Sequence, residues 1–162
     1  MNVRHVLAHE ADRMKALRLR ALSEDPHGFS STYAGESSLP DEWWTSRAAL
    51  SEAGEEQRTY VVVDAEDRWL GMALARDDAG TAVLNAMWVA PEGRGEGAAR
   101  ALCDACAGWA AAHGFDALDV GVFPDNLPAR RMYEACGFAA VDEADGVLTL
   151  RRRLERAAPR AG

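Results

Sequence analysis

Between Val89 and Leu102 the chain reads Val-Ala-Pro-Glu-Gly-Arg-Gly-Glu-Gly-Ala-Ala-Arg-Ala-Leu, with three glycines placed just before a run of helix formers. A loop of this kind can converge backbone N–H groups on an anion, and the helix that follows adds unpaired donors and the positive end of its dipole. Glycine suits the loop because a Cβ would obstruct close approach of the backbone. Arg94 can add a charge-assisted contact. The natural ligand is a phosphate or pyrophosphate. A mononucleotide P-loop is excluded, since it needs Lys followed by Ser or Thr, and here Gly97 is followed by Ala98 and Ala99. Gly93, Gly95 and Ala98 fit the loose form of the dinucleotide fingerprint, but hairpin-like strands precede the loop. An unrelated nucleotide-binding protein stays open as an alternative, as does a plain glycine-rich turn.

Other residues of chemical interest have structural readings. Cys103 and Cys106 have C-x-x-C spacing, yet they sit inside a helix, not at its N-terminus where the dipole lowers a thiol pKa. A zinc site needs two further ligands, and Cys136 is the third and last cysteine. Core packing is the expectation, with no metal. Tyr133, at a helix end, reads on its own as a half-buried core residue. Trp43 and Trp44 share a helix, so one is expected in the core, and a pocket wall is the competing role. Trp88 faces either the core or a ligand. His5, His9 and His113 read as surface or core histidines, and Arg151-Arg152-Arg153 as a solvated strand end.

The elements that position these residues follow from periodicity and punctuation. A strand is expected at Val3–Leu7, then a helix over 11–22 with Met14, Leu17, Ala21 and Leu22 on one face, ended by Asp25-Pro26. A polar loop or broken helix covers 27–40. Asp41 is the expected N-cap of a second helix. Strands at Thr59–Val63, Trp69–Ala75 and Thr81–Val89 are joined by turns at 65–68 and 77–80. A helix over 97–113, with Leu102, Cys106, Trp109 and His113 as its buried stripe, ends at Gly114. A strand at Ala117–Val122, a helix at Pro128–Cys136 closed by Gly137, and a strand at Val147–Arg151 complete a domain spanning 1–151. Residues 152–162 read as a frayed basic tail. Consecutive strands followed by alternation indicate a mixed α/β sheet, with hairpins early and a crossover late.

With 162 residues, 48% hydrophobic and 27% charged, the chain fits one globular domain. A formal net charge of −8 argues against nonspecific nucleic-acid binding and, weakly, fits a cationic substrate. No run approaches the roughly 18 apolar residues of a membrane span, and no apolar signal region opens the chain. A cytoplasmic protein that engages neither nucleic acid nor membrane is expected.

Arg94-Gly-Glu-Gly97-Ala-Ala99 resembles the GNAT acetyltransferase signature: Arg or Gln, two residues, Gly, one residue, Gly or Ala. Val89-Ala90-Pro91 precedes it as in many members. Downstream, Asn126, Ala129, Tyr133 and Gly137-Phe138 resemble the family's second signature, one helix and one strand away. Ala21 to Tyr33 is similar to the substrate-side region of many members. The resemblance covers roughly residues 3 to 151. It implies a mostly antiparallel mixed sheet flanked by helices, splayed between two parallel strands, 81–89 and 117–122. It implies acetyl-CoA as the acetyl donor and an amine, on a small molecule or peptide, as acceptor. Backbone groups of Met87, Trp88 and Val89 would pair with the pantetheine arm. Arg94 and the loop Gly95, Glu96, Gly97, Ala98, Ala99 and Arg100 would hold the pyrophosphate. Asn126 would contact the arm from the other side, and Tyr133 would protonate the departing thiolate. A homodimer is a further implication, since many members pair.

The attacking amine must be neutral, which calls for a base or an ordered water. Family members place an acid where this chain has Gly121, or an acid or histidine on the preceding strand, where Val83 and Asn85 stand. None of these accepts a proton. Glu36 and His27 are the remaining candidates, with a water chain as the other route. The missing base lends weight to an alternative: a non-catalytic acyl-CoA-binding sensor or regulatory module of the same fold.

Overall fold

The computed structural model describes residues 1–155. The elements are β1 (Asn2–His5), α1 (Ala11–Glu24), α2 (Tyr33–Ser37), α3 (Asp41–Ala53), β2 (Gln57–Val63), β3 (Trp69–Asp78), β4 (Thr81–Val89), α4 (Ala98–Ala112), β5 (Ala117–Val122), α5 (Leu127–Ala135), β6 (Ala139–Ala144) and β7 (Val147–Arg153). Short 3₁₀ turns lie at Ala8–Glu10, Pro26–Gly28 and Pro91–Gly93. One seven-stranded sheet has the order β1-β2-β3-β4-β5-β7-β6. Every neighbouring pair is antiparallel except β4 and β5, which run parallel. This is the expected mixed sheet, with α4 as the crossover.

The sheet is buried on both faces, which is why β3 reads as a nearly unbroken apolar run. On one side, Leu102, Cys103, Cys106 and Trp109 of α4 pack with Ala73, Leu84, Leu118, Val120 and Leu150 of the sheet, and α5 adds Tyr133. On the other, Met14, Leu17 and Ala21 of α1 and Trp44 and Ala48 of α3 cover Val61, Met72 and Trp88. Each large side chain so enclosed contributes about 1.5–3 kcal/mol relative to exposure. Trp109 Nε1 also donates to the Gly54 carbonyl at 2.7 Å, tying α4 to the end of α3. The α4 helix stops as its sequence suggests: Gly114 takes φ +84°, and Phe115 N–H reaches back to the Ala110 carbonyl at 3.0 Å.

Several expectations need correction. Pro40, not Asp41, is the N-cap of α3, and it makes no side-chain cap bond; Asp41 is the first helical residue. Of the loop or broken helix expected over 27–40, the structure has the second: the segment contains α2, whose start is capped by the Thr32 hydroxyl accepting from Gly35 N–H. His113 is exposed rather than part of the buried stripe; its ring stacks on Trp109 at 4.4 Å. β6 was not expected at all. Every residue in it is exposed, so no alternation betrays it, and only the Asp145-Gly146 turn, with both φ positive, signals the hairpin to β7. β7 itself continues through Arg152 and Arg153. Arg151 binds Asp119 at 2.7 and 3.0 Å and Arg152 binds Asp104 at 2.8 Å, so this end is anchored, not merely solvated. The rest of the expected tail, 156–162, lies outside the described residues.

Candidate active site

Parallel pairing between β4 and β5 is brief: Val83 faces Asp119 and Leu84 faces Val120. Beyond that point β4 keeps only β3, while β5 keeps only β7 through Gly121–Thr149 and Val122–Leu148. The strands diverge, and the gap opens a cleft of about 960 Å³ that passes from the α1–α3 face to the α4–α5 face. A bulge in β4 sits at the opening, where Ala86 and Met87 stand opposite the single residue Ala73. Ala86 adopts φ +57°. A non-glycine residue in this region costs on the order of 1–3 kcal/mol and persists only where its surroundings enforce it. Nothing in an alanine betrays such a role, so sequence reading missed it. Met87, Trp88 and Val89 line the cleft past the bulge, with Trp88 itself packed in the α1-side core.

A second hollow of about 260 Å³ adjoins the cleft at the glycine loop, lined by Val89, Arg94, Gly95, Gly97, Ala98, Ala99 and Arg100. Gly95 and Gly97 take φ +82° and +81°, a region glycine enters without steric cost. A Cβ at either would meet nothing within 4 Å. The glycines are therefore required by backbone conformation, and the space before them is open to a ligand. The first bond into α4 runs from Ala101 N–H to the Gly97 carbonyl at 3.0 Å, which leaves the preceding amides of the first turn without intrahelical acceptors. These features fit a pyrophosphate.

The loop's side chains are partly engaged elsewhere. Arg94 Nε donates to the Val89 carbonyl at 3.0 Å, and Arg100 donates to the Ala135 carbonyl at the end of α5 at 2.7 Å. Glu96 lines neither hollow. The loop's entry is pinned by Glu92, which accepts from Arg20 of α1 at 2.6 and 2.9 Å.

Tyr133 and Asn126 reach the cleft from α5. Tyr133 is buried, edge-on to Phe138 at 5.5 Å. Burial pushes its phenol well above the usual value, with the neighbouring thiols of Cys103, Cys106 and Cys136 adding to the effect. It makes no side-chain hydrogen bond to other described residues, so its proton is free for a ligand. The Asn126 side chain is half committed: its Oδ1 caps α5, accepting from Ala129 N–H at 3.3 Å. The cysteines are buried and free, and desolvation pushes Cys103 and Cys106 upward. That fits inert core thiols.

The α1–α3 half of the cleft is made of long polar side chains. Glu36 lines it and is buried, but both its oxygens accept from Arg18 at 2.9 Å. His27 is exposed and does not line the cleft. Gly121 lines it, and a Cβ there would meet Val147 Cγ1 at 3.0 Å, so an apolar side chain crowds the position of the usual acid. Asn85 Oδ1 accepts from Arg76 Nε at 2.6 Å. Trp43 and Trp44 both line the cleft, edge to face at 4.6 Å, with Trp44 buried. Arg18, Arg47, Gln57 and Arg76 join them. None of these four was singled out from the sequence, although Arg47 follows Trp43 by one helical turn and so shares its face.

The acetyltransferase (GNAT) family model matches residues 16–138. No curated protein matches the chain. Among solved structures, a GNAT-family acetyltransferase from Streptococcus pneumoniae is 16% identical with a TM-score of 0.79, covering 95% of this chain and 99% of that one. The PaiA N-acetyltransferase from Thermoplasma acidophilum, in complex with coenzyme A, is 14% identical with a TM-score of 0.78, covering 94% and 98%. The GCN5-related N-acetyltransferase from Kribbella flavida is 25% identical with a TM-score of 0.73, covering 94% and 97%. The first two likenesses speak to the fold alone.

Proposed function

The chain belongs to the acetyltransferase (GNAT) family, and we propose that it moves the acetyl group of acetyl-CoA to an amine by direct attack. The observation that carries this reading is the cleft between β4 and β5, entered at one end by the open glycine loop and flanked by Tyr133. When bound, acetyl-CoA supplies an activated thioester and a thiol leaving group. The amides from Gly95 to Arg100 would hold the pyrophosphate. The stretch Met87 to Val89, which lacks a β5 partner, would offer backbone groups to the pantetheine arm as an added strand does, with Asn126 opposite. Tyr133 would give its proton to the departing sulfur. A phenol is protonated at neutral pH, and burial raises this one further, so the proton is present for the departing thiolate to take.

Of the two described acids lining the cleft, Glu36 is held by Arg18, which leaves the exposed Asp25 as the one without an ion-pair partner among the described residues. Arg47 and Arg76 instead put positive charge there, which disfavours an ammonium and favours the neutral amine. The shortage of a base also favours a second reading, a non-catalytic acyl-CoA sensor. Release of free CoA thiol from acetyl-CoA, assayed with a panel of amines, decides between them: amine-dependent release supports the enzyme, and acetyl-CoA binding without release supports the sensor.

Among the described residues no helix is long and apolar enough to cross a membrane.

A further inference from the structure

We infer that the acceptor carries an oxyanion, a carboxylate in the simplest case, bound by Arg47 and Arg76 under α1 and α3; this rests on the amine-acetylating reading above.

The argument is one of excess positive charge: Arg18, Arg47, Arg76 and Arg94 line the cleft, against Asp25 and Glu36. Arg47 extends from α3 with its guanidinium 4.6 Å from the Trp43 ring, and Nη1 reaches Gln57 Oε1 only at 3.4 Å. No carboxylate oxygen lies within 4.0 Å of it among the described residues. Gln57 stands directly opposite Arg76 in the β2–β3 register, and facing residues of an antiparallel pair point to the same side. Arg47 and Arg76 are thus brought together through Gln57. Arg76 spends Nε on Asn85, and its nearest carboxylate, on exposed Asp78, is 3.6 Å from Nη2. Arg18 is neutralised by Glu36, yet its Nη1 is buried with no partner.

Two like charges held at a partly enclosed cleft repel each other unless an anion joins them. Guanidinium forks favour carboxylates and similar planar or tetrahedral oxyanions. A polyamine would add to the repulsion. The net charge of −8, which taken alone fits a cationic substrate, therefore misdescribes the cleft: the acidic excess lies elsewhere on the surface. Trp43 and Phe29, also in the wall, supply apolar contact for the body of the acceptor.

The test compares amino acids with their own amides and decarboxylated amines, and with putrescine and spermidine, in the CoA-release assay. The amide has the more weakly basic amine, so protonation cannot explain a preference for the acid. The expected result is that the best acid exceeds its amide by about 10-fold or more in kcat/KM, the scale of one lost charge-assisted contact. Arg47→Gln should shrink that difference several-fold, chiefly through a higher KM for the acid, while stabilisation by acetyl-CoA is retained. Equal or better turnover of amides, decarboxylated amines or polyamines overturns the inference, as does undiminished preference in Arg47→Gln. Should no amine be turned over, the acetyltransferase reading fails separately, and calorimetric titration of the same panel into CoA-loaded protein still reads the anion site. Binding of acids but not amides supports it, and binding of neither sinks it.

Discussion

Where β4 runs into the glycine loop, the cleft is walled by backbone: the stretch past Leu84 that has no β5 partner, the left-handed glycines 95 and 97, and the first amides of α4. Under α1 and α3 the wall is made of side chains instead, with Arg18, Glu36, Arg47, Gln57, Arg76 and Asn85 bonded to one another in pairs. A backbone-built half depends on conformation and tolerates side-chain variety, provided the positive-φ positions stay glycine. A side-chain-built half depends on each residue's identity and on which elements packing brings together. The first suits a ligand that is the same throughout a family, the second an acceptor particular to one protein.

The strongest way to break this contrast is at Gly97. Gly97→Glu should abolish the thermal stabilisation given by acetyl-CoA, whereas Gly97→Ala, which shares a left-handed strain of about 1–2 kcal/mol, should retain part of it. Full stabilisation of the glutamate variant by acetyl-CoA would mean the loop does not hold the cofactor. Across the cleft, Glu36→Ala should cost about 3 kcal/mol in denaturant unfolding, because the largely buried Arg18 loses its partner. Acetyl-CoA affinity, measured by calorimetry, should stay within experimental error. A matching loss of cofactor affinity would show that the two halves are not independent.

Tyr133→Phe sits at the junction. It should lower kcat by about 100-fold, the lower end of general-acid effects, since a thiolate is a fair leaving group, and leave acetyl-CoA affinity intact. Because the folded-state pKa of this phenol lies above the ordinary 10.0, its proton is retained as pH rises through that value. The wild-type kcat profile should therefore show no tyrosine-like descent below pH 10. A purely structural tyrosine would show itself as unchanged turnover in the variant. The smallest effect is expected for Asn126→Ala, which removes the α5 cap and costs about 1 kcal/mol of stability. Any additional loss of acetyl-CoA affinity measures what its amide contributes to the cofactor side.

Legibility followed the same divide. The glycine loop, the helix it opens, and the spacing of Asn126 and Tyr133 could be read directly, because a left-handed turn and a helix start are local events written in adjacent residues. The long apolar elements were equally plain, since α1 and α4 carry their burial in their own periodicity. β6 escaped notice because it is an exposed edge strand held only by its ladder to β7. The bulge at Ala86 escaped because it is a difference in count between two strands, which neither strand shows alone.

Two sites named as candidate bases show what folding alone decided. Glu36 and His27 look equally able to take a proton in the chain as written, yet one is tied to Arg18, eighteen residues earlier, and the other does not line the cleft. Net charge says as little about the cleft: it sums over a surface, whereas the field at a site comes from the few charges packing places there. The family, the sheet and the conformation of the glycine loop followed from the sequence because their determinants are local and periodic. The character of the acceptor pocket did not, because it depends on side chains from α1, α3, β2, β3 and β4 that meet only once the sheet has formed and both faces are covered.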